Sequence, residues 1–250
     1  MDSTLKKSEH VFLEGPHGRT KEILFALKVF IEFIKGFRKF HFLGPCITVF
    51  GSARFNNMHP YYKVAEEIGG QLSELGFTVM TGGGPGIMEA ANRGAKKAGG
   101  VSAGCNIVLP SEQIPNIYLD YWVNINYFFV RKVLLTKYSY AFVVMPGGYG
   151  TLDEFFESIT LIQTGKMKKF PVVLFGKQFH NGLYEYLESL IKEGTIGAED
   201  IKLFLFTDDI NEAIEHIRSH TYERVNMHPW HKPRWWLGER FVRKKSDAKY

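Results

Sequence analysis

Three glycine-rich loops and one acidic side chain carry most of the chemistry that can be read from this chain. Gly51-Ser52-Ala53-Arg54 follows an apolar run that ends at Phe50; Thr81-Gly82-Gly83-Gly84-Pro85-Gly86-Ile87-Met88-Glu89 leaves a strand-like run and enters a helical pattern; Met145-Pro146-Gly147-Gly148-Tyr149-Gly150-Thr151-Leu152-Asp153-Glu154 repeats that setting. Glycine lets a backbone approach a ligand closely, and free N–H groups at a helix start favour an anion, so two such loops meeting in one crevice point to a phosphate group. Neither loop satisfies G-x-G-x-x-G: from Gly82 the last position is Ile87, from Gly84 it is Glu89 and from Gly148 it is Asp153; no G-x-x-x-x-G-K-[ST] occurs either. Dinucleotide and P-loop readings are thereby weakened. Thr151 can offer its hydroxyl to a phosphate oxygen, and Glu154 follows it by three residues. A carboxylate beside an anion site repels phosphate, so Glu154 serves either as the far half of a Thr151–Glu154 capping box or as a catalytic group.

The elements that must hold these loops alternate. Strands are predicted near 46–50, 77–81, 101–108, 140–145, 172–175 and 203–206, with a weaker one at 121–123; helices are predicted over 61–75, 86–98, 127–138, 152–163, 183–192 and 210–220. Strand and helix in such alternation give an α/β fold, a Rossmann-like, doubly wound parallel sheet with helices on both faces, and its ligands bind beyond the carboxyl ends of the strands. Ahead of it, Ile23, Leu27, Phe30, Ile31, Ile34 and Phe37 recur at helical spacing between Arg19 and Phe40, which predicts an amphipathic helix packed on the body or on a second subunit; its charges exclude a membrane span. The expected organisation is an N-terminal helical extension over 1–45, the nucleotide-binding domain over 46–220, and a basic, aromatic tail over 221–250 in which Trp230, Trp235 and Trp236 anchor a peripheral arm.

Composition closes off several classes. A chain of 250 residues, 45% hydrophobic and 23% charged, is an ordinary globular one. The net charge of +5 lies wholly in the tail, where seven lysines and arginines between His231 and Tyr250 face only Glu239 and Asp247. Nucleic acid is therefore not an expected partner. Cys46 and Cys105 lie in apolar runs without C-x-x-C spacing, which suits buried thiols in a reducing compartment. The opening MDSTLKKSEH lacks the apolar stretch of a signal peptide, so a cytoplasmic location is expected, with no membrane association. None of the nine histidines has metal-ligand spacing, and neither a metal nor a cofactor is expected.

The segment PGGYGTLDE at Pro146 to Glu154 resembles the PGGxGTxxE signature of the LONELY GUY (LOG) family, the cytokinin riboside 5'-monophosphate phosphoribohydrolases, long mislabelled as lysine decarboxylases. GSAR at Gly51 to Arg54, GGGPGIMEAANRGA at Gly82 to Ala95, NIVLPSEQ at Asn106 to Gln113 and Arg131-Lys132 resemble the family in the same order, from about Cys46 to Ile210. The N-terminal helix and the KPRWWLGE tail are similar to a larger bacterial branch. The resemblance implies hydrolysis of the N-glycosidic bond of a nucleoside 5'-monophosphate, AMP or an N6-modified AMP, to free base and ribose 5-phosphate, by a homodimer or higher homo-oligomer. The rival reading is a non-catalytic nucleotide carrier or sensor of the same fold. By the resemblance, Arg131 and Glu154 are catalytic, and Gly147, Gly148, Gly150 and Thr151 cradle the 5'-phosphate. Gly83 and Gly84 line the opposite wall, and Ser52, Arg54 and Lys132 reach sugar or phosphate, unless Arg54 is a structural partner and Lys132 a solvated one. Glu89, Asn92 and Asn106 match family positions and suit capping and bracing as well as contact. Met88, Leu109, Tyr127 and Tyr149 are candidates for the base pocket, and Phe128, Phe129, Val130 and Leu134 for either a subunit interface or the core. A pyridoxal-dependent decarboxylase would need a Schiff-base lysine, for which no recognisable candidate stands in the sequence.

Overall fold

Cys46–Phe50, Thr78–Thr81 and Val172–Phe175 are buried at every position, as strands covered on both faces must be, and their apolar, β-branched composition suits that place. The computed structural model describes residues 13, 15–109, 114–167 and 170–226, the last five as backbone only. Its strands are β1 (Cys46–Phe50), β2 (Thr78–Thr81), β3 (Ser102–Ile107), β4 (Tyr121–Ile125), β5 (Ser139–Val144), β6 (Val172–Phe175) and β7 (Leu205–Thr207). They form one sheet in the order β4-β3-β2-β1-β5-β6-β7, every neighbouring pair parallel. The helices are α1 (Arg19–Phe40), α2 (Pro60–Glu74), α3 (Ile87–Lys97), α4 (Phe128–Tyr138), α5 (Tyr149–Gln163), α6 (Lys177–Lys192) and α7 (Ile210–Asn226).

Two apolar layers flank the sheet. Phe40, Leu134, Phe155 and Leu187, from α1, α4, α5 and α6, pack on Phe142 and Leu174; Tyr62, Ile68, Ala91 and Ile217, from α2, α3 and α7, pack on Ile47, Val143 and Val173. This is the expected doubly wound architecture. Most predicted elements lie within two residues of their observed bounds. Helix α6 starts at Lys177, six residues early, because Gly176 adopts φ 100° and launches it directly from β6. A short 3-10 helix at Asp200–Leu203 takes the place where the last strand was expected to begin.

Helix α1 spans the predicted residues, but of the predicted stripe only Phe37 faces the body. Phe25, Val29, Phe33 and Phe37 pack against the core and Phe40 is fully buried, while Ile23, Leu27, Phe30, Ile31 and Ile34 stand in solvent. The helix is apolar on two sides, and periodicity alone cannot say which side is covered. Glu32 is buried on the covered side and accepts hydrogen bonds from the Asn126 backbone N–H and side-chain amide, at the turn into α4. Phe25 meets Tyr127 edge-on at 5.0 Å, and Gly36 leaves room for Leu134, where a Cβ would overlap it. The N-terminal helix thus braces α4. Among the described residues no helix is long and apolar enough to cross a membrane. The aromatic, basic segment after residue 226, the start of the chain and Pro110 to Gln113 lie outside the described residues.

Candidate active site

The sheet reverses its direction of growth beside β1: β2, β3 and β4 follow on one side, β5, β6 and β7 on the other. The carboxyl ends of β1 and β5 are therefore the switch point, where a crevice opens between diverging connections. Loop 51–54 leaves β1 there and loop 145–148 leaves β5. They are tied together: the Ser52 N–H donates to the Pro146 carbonyl (2.9 Å), and the Met145 N–H to the Phe50 carbonyl (2.8 Å). The third loop joins them through the Ile87 N–H, which donates to the Ser52 carbonyl (3.0 Å). Gly86, at φ 70°, lies so close to that carbonyl that a Cβ would overlap it.

A crevice of about 640 Å³ lies over this knot, lined by Ser52, Arg54 and Phe55, by Met88 and Leu109, by Phe128 and Arg131, and by Gly147 through Leu152 with Glu154. One end of it is the start of α5. Gly148 is the N-cap residue and makes no side-chain cap, and the Thr151 and Leu152 N–H groups turn back onto its carbonyl (3.0 and 3.1 Å). The helix therefore begins at Tyr149, and Thr151 and Glu154 lie within it, one turn apart. The capping box is excluded by this geometry, since Thr151 does not sit at the N-cap. Gly147 is required by Thr151, whose side chain a Cβ at position 147 would overlap.

Glu154 is 6% exposed, and burial pushes its pKa up to about 7 against the pull of the Arg131 and Lys132 charges. A carboxyl that titrates near neutrality can give and take a proton at working pH. Arg131 reaches the crevice from α4, and its Nε–H donates to the Cys105 carbonyl in β3 (3.0 Å). With Nε occupied, the guanidinium lies against Gly82, where a Cβ would collide with its Nη2. Arg131 is thus braced from one half of the sheet and Glu154 from the other.

A family model described as "Possible lysine decarboxylase" matches residues 88–217, more than half of the chain. The chain is 30% identical over 179 residues, 69% of its length and 89% of the relative's, to the cytokinin riboside 5'-monophosphate phosphoribohydrolase of Rhodococcoides fascians. It is 28% identical over 158 residues, 61% of its length and 82% of the relative's, to the Mycobacterium tuberculosis protein of that name. The chain belongs to the LONELY GUY family. Among solved structures, the molybdenum cofactor carrier protein of Chlamydomonas reinhardtii is similar at a TM-score of 0.52 and 27% identity, covering 72% of this chain and 99% of that one.

The LONELY GUY signature loop, Pro146 to Glu154, is the part of the crevice that the sequence describes most fully: Gly147, Gly148, Gly150, Thr151 and Glu154 all line it, together with Ser52, Arg54 and Arg131. Three predicted residues are placed elsewhere. Gly83 and Gly84 are buried, and their carbonyls accept from the backbone and side-chain N–H groups of Asn116 (2.9 and 3.1 Å). Lys132 reaches across from α4 to Asp153 and Glu157 on α5 (2.8 and 2.9 Å); burial opposes its charge, yet the two carboxylates hold its pKa above the ordinary lysine value. Met88, Leu109 and Tyr149 line the crevice, whereas Tyr127 is in the core. Val130 and Leu134 are also core residues, while Phe128 and Phe129 are exposed.

A buried polar network behind the second loop was not visible in the sequence. Thr81 donates to the Asn92 side chain (2.7 Å), which also accepts from Asn116 (3.0 Å), and the Thr81 hydroxyl receives the Gly83 N–H (2.9 Å). Asn116 lies 24 residues from Asn92, so no local spacing announces the pair. Glu89 accepts from the Tyr62 hydroxyl (3.0 Å) between α2 and α3, and Asn106 donates to Asn124 (3.3 Å) between β3 and β4.

Proposed function

We propose that the chain hydrolyses the N-glycosidic bond of a nucleoside 5'-monophosphate, AMP or an N6-modified AMP, releasing the free base and ribose 5-phosphate. The observation that carries this reading is the buried Glu154, with a pKa near 7, sharing one crevice with Arg131 and the open start of α5. The 5'-phosphate lies on the N–H groups of that helix start and the Thr151 hydroxyl. The ribose then lies over Glu154. As the C1'–N bond breaks, its electron pair leaves with the base, and the ionised carboxylate stabilises the oxocarbenium-like sugar and takes a proton from the attacking water. The carboxyl then gives that proton up to the departing base nitrogen, so that one water is consumed for the bond broken and Glu154 returns to its ionised form. Arg131 offers its remaining N–H donors to the phosphate or the base. The relatives' names support the substrate class. The crevice lining contains no lysine among the described residues, which counts against a Schiff-base decarboxylase.

The two buried free cysteines suit a cytoplasmic site of action. The N-terminal extension, the sheet domain and the basic tail remain the organisation we infer, and the exposed apolar residues on α1 and α4 support a homodimer or higher homo-oligomer. A light-scattering mass of 28.6 kDa would sink the oligomer. The likeness to the Chlamydomonas carrier favours a second reading, in which the crevice holds a phosphorylated ligand without cleaving it. Incubation with AMP, GMP, CMP and N6-isopentenyl-AMP, followed by chromatography for base and ribose 5-phosphate, separates the two. Base release that vanishes in Glu154→Gln establishes the hydrolase; binding without release from any nucleotide establishes the carrier.

A further inference from the structure

We propose that the solvent-facing stripe of α1 is a docking surface for α1 of a second copy of this chain, the two helices running antiparallel about a two-fold axis. The proposal deepens the homo-oligomeric reading above and rests on it; it does not depend on the catalytic one. Ile23, Leu27, Phe30 and Ile34 follow one another at spacings of four, three and four, the seam that one helix presents to another, and none of them packs on the body. This spacing reads the same in both directions. In an antiparallel pair Ile23 meets Ile34 of the other copy and Leu27 meets its Phe30, so one stripe is its own complement, as a two-fold interface demands.

The stripe is also large enough. With Ile31 beside the seam and Trp122 of the edge strand β4 at its margin, six side chains stand 41–64% exposed. Together they offer on the order of 600 Å², which is the lower end of what each partner contributes to a stable interface before any rim is counted. A lipid surface fits less well, although lysines flank the stripe. The Lys35 ammonium donates to the Asn124 carbonyl (3.0 Å), and that of Lys39 lies 5.7 Å from the Tyr121 ring and 5.9 Å from that of Trp122, so both are directed to the body.

The test is light scattering of the full chain at matched concentration, for the wild type, for Leu27→Glu with Phe30→Glu, for Leu27→Lys with Phe30→Lys, and for an equimolar mixture of the two variants. The expected result is a wild-type mass that is an even multiple of 28.6 kDa, half that mass for each variant, and the wild-type mass again on mixing, since glutamate then faces lysine across the seam. Both substitutions replace exposed side chains, and unchanged melting temperatures confirm intact folds. Variants that keep the wild-type mass overturn this surface while leaving oligomerisation standing; a monomeric wild type overturns both. Failure of the mixture to recover overturns the antiparallel pairing. A monomeric wild type that floats with phosphatidylserine vesicles assigns the stripe to a membrane.

Discussion

Glu154 lies beside the start of α5 and is nearly sealed from water, so burial keeps it partly protonated near neutral pH; in the proposed reaction it is the ionised form that meets the cationic sugar. Glu154→Gln keeps the shape and removes that charge: kcat should fall by about 10²- to 10⁴-fold while AMP binding by calorimetry stays measurable. The raised pKa sets two pH dependences. For turnover the ionised form is required, so kcat/KM should climb with pH through about 7 and level off above it; a flat profile from pH 5 to 8 would remove Glu154 from the proton-transfer role. For stability the sign is opposite. A carboxyl whose folded pKa exceeds its unfolded one stabilises the fold fully below the ordinary carboxylate range and loses that contribution as pH rises towards 7. Urea midpoints of the unliganded protein should therefore fall between about pH 5 and pH 8 more in the wild type than in Glu154→Gln. Arg131→Lys removes the bond from Nε to the Cys105 carbonyl as well as the flat guanidinium, and should lower kcat/KM at least about tenfold in the same base-release assay.

At the scale of elements, the site depends on how closely neighbouring backbones and side chains approach. Gly147→Ala puts a methyl group where the Thr151 side chain lies, so KM for the nucleotide should rise more than kcat falls in steady-state kinetics. Gly36→Val drives α1 off Leu134; a loss of about 1–3 kcal/mol in denaturant titration is expected, with reduced kcat/KM because α4 carries Arg131. The strands were legible in the sequence because a doubly covered strand must be largely apolar, as 172–175 is throughout and 46–50 is at every position but Thr48, whose hydroxyl pairs with that of Ser139. The loop from Met145 to Glu154 was legible as a strand-to-helix connection because its glycines follow an apolar run and precede a helical pattern. Three features were hidden for physical reasons. The start of α5 at Tyr149 depends on a backbone turn at Gly148 that many sequences can make. The covered face of α1 could not be distinguished from its uncovered one because both are apolar. Asn116 is joined to Thr81 and Asn92 only by the tertiary fold.

Across the whole molecule, the crevice exists because the sheet grows away from β1 in two directions, and each half brings what the other lacks. The half from β2 to β4 supplies the brace for Arg131; β5 and α5 supply the glycine-rich signature loop and Glu154. If the proposed function holds, a nucleotide bound there should span both halves and stabilise the fold as a unit, by about 2.7 kcal/mol at a concentration one hundred times its Kd. The melting temperature should rise with added AMP, and a protein whose Tm ignores every nucleotide tested would not have this site. Ser52 gives that coupling an atomic reporter. Its N–H is held by the loop after β5, and its carbonyl holds the N–H that begins α3, so the two amide protons, Ser52 and Ile87, are released to solvent only when the loops of the crevice part. Their exchange rates measure how often the mouth of the site comes undone, and a ligand that clamps both halves should slow the two protons together while leaving the amides at the far end of the sheet unchanged.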